Sequence, residues 1–314
     1  MRKMRNFNQL IIALAIIVFS SCKNDNQTKS TEEVASAAVN NSSPDCPAYL
    51  AKEKQNNLNI SVLLDLSDRI EAHKTISKDT AYLKSLAGAF LQHINGKKSI
   101  LLEDRMQLFF NPEPSSSKIN EIADRLNIVF TKDASVNLID ETKDLYSEEP
   151  IKLYELAQAD ANGEKSNYPG SDIWRFFKDN VRDYSVDDCH RNILVILTDG
   201  YMYYDKTQMT EGNRTSYLTP NSLARLKLRK SSWKAEMEEK DLGFIPANQN
   251  LEDLEVLVLG INSLNDENPY APDIIEAYWS KWFEEMGISK DRYKIKQAVI
   301  PSNMEKVISD FILG

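Results

Sequence analysis

Residues 59–69 read Asn59-Ile60-Ser61-Val62-Leu63-Leu64-Asp65-Leu66-Ser67-Asp68-Arg69. The apolar, partly β-branched run through Leu64 suits a strand buried on both faces. It then breaks into Asp65, Ser67, Asp68 and Arg69. An open α/β sheet usually builds a site by releasing short oxygen-bearing side chains at the C-terminal end of a buried parallel strand. The same residues also suit an ordinary Ser/Asp turn.

A second strand of this kind stands at residues 192–197, Asn-Ile-Leu-Val-Ile-Leu, and ends in Thr198-Asp199-Gly200. Further strands are expected at 105–110, 254–261 and 293–300. Between them, a helix capped by Ser77 should carry Leu83, Leu86, Phe90 and Ile94 and stop at Asn95-Gly96. Residues 111–170 read as a turn, a helix with Ile119, Ile122 and Leu126, a short apolar segment at 136–139, and a helix over 151–161. Breakers then make 161–170 a loop. A short helix follows Ser171-Asp172, a long amphipathic one spans 272–287, and Ser302 with Glu305 suggests a capping box ahead of the last. Residues 201–250 lack an apolar run long enough for a core strand and read as an insertion with a helix from about Pro220. Trp279 and Trp282, at helical spacing, read as core. Alternating strands and helices with continuously apolar strands predict an α/β fold: a mostly parallel central sheet with helices on both faces.

At the N-terminus, Arg2, Lys3 and Arg5 precede ten apolar residues at 10–19 and then Ser20-Ser21-Cys22. The apolar run is too short for a span, which needs ~20 residues. It reads as a signal peptide over 1–21. The small-small-Cys ending resembles a bacterial lipoprotein signal, with Cys22 lipidated; Phe19 departs from the usual Leu, and a plain secretory signal is the alternative. The polar stretch 22–50 reads as a disordered tether and 51–314 as the folded domain, with insertions at about 111–170 and 201–250. The expected setting is the bacterial cell envelope, periplasmic or surface-exposed, with a membrane anchor through Cys22.

The chain has 314 residues and a formal charge of -9. Removing 1–21 takes away three positive charges and no negative one, leaving -12. That balance argues against nucleic acid as a partner. Two cysteines then remain, Cys46 and Cys189. Each precedes a buried strand, so neighbouring parallel strands would bring both to one edge of the sheet. A disulfide is expected in an exported chain, the alternative being two free thiols.

Three pieces share an order: Asp65-x-Ser67-x-Arg69, then Gly170-Ser171-Asp172-Ile173, then Thr198-Asp199-Gly200. On these the sequence resembles the von Willebrand factor type A family. That family's metal-ion-dependent adhesion site uses Asp-x-Ser-x-Ser, a Thr in a Gly-Thr-Asp-Ile-like loop, and the Asp of Thr-Asp-Gly. The resemblance implies Mg²⁺ or another divalent cation, with Ser67 and Ser171 as direct ligands and Asp65 and Asp199 orienting water or binding weakly. It also implies a protein partner whose carboxylate completes the coordination. Ser171 in place of Thr keeps the hydroxyl. Arg69 in place of the second Ser removes an oxygen. It either turns outward or displaces the cation, pairing with Asp65 or Asp199 or clamping a partner carboxylate itself.

Asp68, Tyr201, Tyr203 and Tyr204 are further candidates for partner contact, the tyrosines alternatively packing under the insertion. Arg225, Lys227, Arg229 and Lys230 read first as a solvated helix face and second as an anion site. None of the site segments contains a His, and His190 precedes its strand. The implied function is therefore an adhesion or binding module rather than an enzyme. The alternatives are an envelope-complex component with a lapsed site and, behind it, a metal-assisted hydrolase.

Overall fold

A computed structural model describes residues 46–66, 73–161, 171–263 and 267–314. Among them a short helix α1 (Ala48–Lys52) leads into β1 (Leu58–Leu64), all seven residues of which are buried. Side chains alternate across a strand. Ile60, Val62 and Leu64 thus enter one core and Leu63 the other. The chain continues through α2 (His73–Gly96), β2 (Glu103–Phe109), α3 (Ser117–Arg125), β3 (Ile128–Thr131) and α4 (Leu138–Ala161). After the loop come α5 (Ile173–Arg175), a π-helical turn at Phe176–Asn180, and α6 (Val181–Ser185). β4 (Arg191–Leu197) precedes the insertion, which holds three two-residue strands, β5 (Thr210–Glu211), β6 (Arg214–Thr215) and β7 (Gly243–Phe244), with α7 (Pro220–Arg225) and α8 (Trp233–Glu239) between the second and third. β8 (Leu254–Ile261), α9 (Ala271–Glu285), β9 (Tyr293–Gln297) and α10 (Pro301–Leu313) close the fold.

The main sheet has the order β3-β2-β1-β4-β8-β9. All pairings are parallel except β2–β3. Helices α2, α3, α4 and α10 cover one face and the α5–α6 run, α9 and the insertion the other. The expected mostly parallel α/β sandwich is the fold. Leaving aside the three insertion strands, the order is that of a doubly wound sheet, reversing between β1 and β4. Such sheets bind ligands outside the strand C-termini at that reversal.

The second face carries buried polar residues with a specific use. Ser61 Oγ and Gln107 Nε2 both donate to the Tyr184 carbonyl, at 2.8 and 2.6 Å, and Asn59 Nδ2 donates to the Ser185 carbonyl at 3.2 Å. Those are carbonyls of the last turn of α6, which have no partner inside a helix. The sheet thus seats the α5–α6 run, whose other end carries Ser171.

Several local expectations change. α2 begins before Ser77, which lies inside it. Residues 138–150 join 151–161 as one helix, with Pro150 inside it. The antiparallel edge strand β3 is new; four residues are too few to show a period. β9 stops at Gln297, and α10 begins on Pro301 with no side-chain cap, so the Ser302–Glu305 box does not form. Proline at the first helical position supplies the start instead. The loop at 162–170 lies outside the described residues, as does everything before Cys46, so the signal, the Cys22 lipid and the tether are not described. Among the described residues no helix is long and apolar enough to cross a membrane.

The insertion is fixed by indole donors. Trp174 and Trp282 both donate to the Ile245 carbonyl, at 2.8 and 2.9 Å, and Trp279 to that of Gly200 at 2.9 Å. Trp279 and Trp282 are fully buried in the core, as their spacing suggested.

Candidate functional site

The β1–β4 register ends at Leu64 opposite Leu197. Hydrogen bonding runs further than the strands. Asp65 N–H donates to the Leu197 carbonyl (3.0 Å), Thr198 N–H to that of Leu259 (3.1 Å), and Asn262 N–H to that of Asp199 (2.8 Å). Asp65 and Thr198-Asp199 are thereby held on adjacent strand ends, where neighbours lie about 4.8 Å apart. Asp65 is buried and its Oδ2 accepts from the Thr198 hydroxyl at 3.1 Å. The same hydroxyl accepts the Gly200 N–H at 3.1 Å, and Asp199 Oδ1 accepts the Tyr201 N–H at 2.9 Å.

The third piece arrives from the other side of β1. Asp172 N–H donates to the Asn111 carbonyl and Asn111 Nδ2 to the Asp172 carbonyl, each at 2.7 Å. Asn111 lies two residues beyond the end of β2, whose Phe109 is in register with Leu63. This clasp sets Ser171 at the same sheet edge. Ser171 is only 7% exposed, and its Oγ has no hydrogen-bond partner among the described residues. A buried hydroxyl left so costs about 1–3 kcal/mol.

Asp172, beside it, caps the α5–α6 run: Oδ1 accepts the Arg175 N–H at 3.0 Å and Oδ2 accepts the Thr207 hydroxyl. Burial raises this carboxyl from its ordinary value, against the opposing hydrogen bonds of Thr207 and Arg175 and the Arg175 charge. Thr207 belongs to the insertion, so the insertion and the Ser171 loop meet on one carboxylate.

Asp65, Ser171 and Asp199 are therefore gathered at the ends of three adjacent strands, Ser171 by way of Asn111. Ser67, Asp68, Arg69 and Gly170 lie outside the described residues. The tyrosines divide. Tyr201 is buried and packs with Met202 beneath the insertion, which corrects its assignment to the partner surface; Tyr204 is half-buried, and Tyr203 is 46% exposed with its hydroxyl on Asp205. His190 sits at the opposite edge, 2.7 Å from Asp187. The expected disulfide is present there too: Cys46 and Cys189 are bonded, with Cα atoms 5.4 Å apart.

Among the described residues no three His, Cys, Asp or Glu side chains cluster to hold a metal. The donors at this edge are instead two carboxylates and a hydroxyl. That set suits a hard divalent cation that keeps several waters, not a thiophilic or imidazole-bound one. Two contributors here lie outside the motifs, Asn111, which clasps the Ser171 loop, and Thr207; Thr198 lies within its motif, which gives it no role, and it bridges Asp65 to the next turn. Asn111-Pro112 carried a turn signal, but nothing in it pointed to Asp172.

Gly200 shows why the third motif ends in glycine. Its φ is +95°, and an added Cβ would lie 2.6 Å from Ile261 Cδ1 and 2.7 Å from Ile275 Cγ2. Gly200→Ala is expected to destabilise by about 2–4 kcal/mol, strain and overpacking together. Urea unfolding checks this, and a loss under 1 kcal/mol would contradict it.

No family model matches the chain, and no curated protein does. Among solved structures, it is similar to the pilus adhesin SpaC from Lactobacillus rhamnosus GG in its open conformation, with a TM-score of 0.41 and 12% identity. The match covers 83% of this chain and 30% of the adhesin, so the chain spans under a third of that protein's length. A likeness of this degree carries no argument about what the chain does.

Proposed function

We propose that this chain is a binding module of the cell envelope: an exported von Willebrand A-like domain, lipid-anchored at Cys22, that takes a partner's carboxylate at the β1–β4 edge. The observation that carries the reading is the buried Ser171 hydroxyl, which has no hydrogen-bond partner among the described residues and lies at the edge that gathers Asp65 and Asp199. A divalent cation bound there would offer an open coordination position to an acidic side chain. Ser171 would ligate it directly, and Asp65 and Asp199 would hold its waters, their geometry set by Thr198 and the Tyr201 amide. Ser67 would be the second hydroxyl ligand and Arg69 the neighbouring charge. Export is supported by the Cys46–Cys189 bond, since disulfides persist in oxidising compartments.

The test is thermal unfolding of the full chain in Mg²⁺, Mn²⁺ or EDTA. A cation present at 100 times its Kd adds about 2.7 kcal/mol to the folded state. Over a domain of this size that raises Tm by roughly 5–10 °C. Ser171→Ala should abolish the rise, yet in EDTA it should leave stability equal or higher, because it deletes an unsatisfied group. Ser67→Ala should abolish the rise as well.

A second reading has its own observation. Asp65 and Asp199 already accept hydrogen bonds from Thr198 and Tyr201, so the carboxylates are accommodated without a cation. An envelope-complex component with a lapsed site would show no Mg²⁺ response in wild type. Turnover of a generic phosphate or acyl ester, lost in Asp199→Ala, would favour a hydrolase over both.

A further inference from the structure

The basic stretch Arg225, Lys227, Arg229 and Lys230 is not a helix face. α7 ends at Arg225, and Lys227 has a φ of +56°. Leu226 and Leu228 turn inward, Leu228 being almost fully buried, and the four cations are all exposed. Two connections tie this loop to the segments that leave the edge carrying Asp65 and Asp199. Leu218, two residues ahead of α7, exchanges backbone hydrogen bonds with Met202, three residues past Asp199. Asn268 Nδ2 then donates to the Leu228 carbonyl at 3.0 Å. Asn268 is six residues beyond Asn262, which is bonded to Asp199, a reach of at most about 20 Å.

The charges there are only partly balanced, by Glu236 near Lys230 and by Glu267 near Arg229. Elsewhere on the insertion, Arg214 pairs with Asp241 and Glu285 and Lys240 with Glu236, while Lys206 and Lys234, single and well apart in sequence, have no ion pair among the described residues. Among the described residues Arg225, Lys227 and Lys230 have no ion pair, and Arg229 reaches only Glu267 at 3.5 Å. Four like charges in six residues repel one another, and an acidic ligand would relieve that. In a chain of net charge -9 this is a local reversal of sign at one end of the sheet.

We propose that residues 225–230 form a cationic rim of the binding edge and receive an acidic segment of a protein partner, beside the carboxylate taken at the Asp65–Ser171–Asp199 site. The proposal rests on the reading of that edge as a binding site. Complementary charge of this kind speeds encounter and sets the partner's orientation, and at low salt the faster association tightens binding in proportion.

The experiment measures binding of a fluorescein-labelled oligoglutamate to the full chain by anisotropy, at low salt and in Mg²⁺. The Arg225→Gln/Lys227→Gln/Arg229→Gln/Lys230→Gln variant keeps both leucines and should bind about tenfold more weakly, with a shallower salt dependence. A control, Lys84→Gln/Lys118→Gln/Lys132→Gln/Lys143→Gln, alters net charge equally on α2, α3, α4 and the turn after β3 and should bind like wild type. Charge reversal with Arg225→Glu and Lys230→Glu should deepen the loss. Matching melting temperatures verify folding. Equal loss in rim and control variants overturns the proposal. So does tighter binding of a sulfated polysaccharide or anionic vesicles than of oligoglutamate through the same residues. EDTA separates the two readings. Binding lost in EDTA but unchanged in the rim variant removes the rim and leaves the metal site. Binding indifferent to EDTA but lost in the rim variant does the reverse.

Discussion

Replacing Asp104 by Ala is expected to cost about 3–5 kcal/mol, a large share of the ~5–15 kcal/mol that holds a domain folded. Asp104 is the second residue of β2, at the edge opposite the candidate site, with a side chain that has no exposure. Oδ1 accepts the Leu58 N–H at 2.7 Å, supplying the partner for the first amide of β1. Lys97 Nζ donates to Oδ2 at 2.6 Å, and its own side chain is 4% exposed. His93 Nε2 is 3.1 Å from both Oδ1 and the Asn56 carbonyl, so Nε2 carries the proton. Removing the carboxylate leaves a buried ammonium with neutral acceptors only, the Asn56 carbonyl and Asn57 Oδ1, and the Leu58 amide without its partner, a penalty that exceeds the net worth of the pair. Asp104→Leu combined with Lys97→Met should recover most of the loss. Burial alone would raise the Asp104 carboxyl, but the hydrogen bonds from His93, Leu58 and Lys97 and the Lys97 charge outweigh it and hold it below the ordinary value. The linkage follows that sign. A depressed folded-state value contributes stability above the unfolded value, near 3.9, and loses it as pH falls through the folded one. Urea midpoints should therefore converge between wild type and Asp104→Asn as pH drops below about 4. A gap that persists unchanged in acid would mean that the charge is not what Asp104 contributes.

Opening the Cys46–Cys189 bond is expected to be the other large loss. The bond joins residues 143 apart, and the loop-entropy relation gives roughly 5 kcal/mol for a closure of that length, against a usual 2–4. It also fastens the chain ahead of β1 to the turn ahead of β4. That turn is further held by Asn57 Nδ2 on the Cys189 carbonyl and by the Arg191 N–H on the Asn57 carbonyl. The Cys46→Ala/Cys189→Ala double variant should lower the urea midpoint by the equivalent of about 2–5 kcal/mol with little change in slope. Reduction of wild type should match it. A double variant as stable as the oxidised protein would mean that the unfolded chain already holds these segments together.

Legibility in the sequence followed the strength of the local signal. β1, β4 and β8 are apolar runs that have no other good structure, and each is found within two residues of its expectation. The long amphipathic helices α2 and α9 were equally plain. β3 was not, because Ile128–Thr131 is short and is made a strand by pairing with β2. The insertion strands, two residues each, are likewise held by pairing and by tryptophan donors. Tyr201 reads on paper as a rim aromatic. It is instead buried in the core that also holds Met202 and Leu218, which pair across 16 residues of sequence. The composition of the basic stretch permits a helix face. The Leu226–Leu228 anchors and the left-handed Lys227 decide otherwise.

The sequence by itself determined the architecture and three groups of oxygen-bearing residues, since a buried parallel strand and its polar end are both local patterns of residue type. It also allowed the disulfide to be inferred, because each cysteine stands just ahead of such a strand. Only the tertiary structure decided that Asp65 and Asp199 leave adjacent strands where the sheet order reverses, and that Asn111 draws Ser171 to the same edge. It alone leaves that hydroxyl buried without a hydrogen-bond partner among the described residues. Those facts depend on strand order, on register and on a clasp between residues 61 positions apart. Long-range hydrogen bonds and close packing set all three, and no window of neighbouring residues contains them.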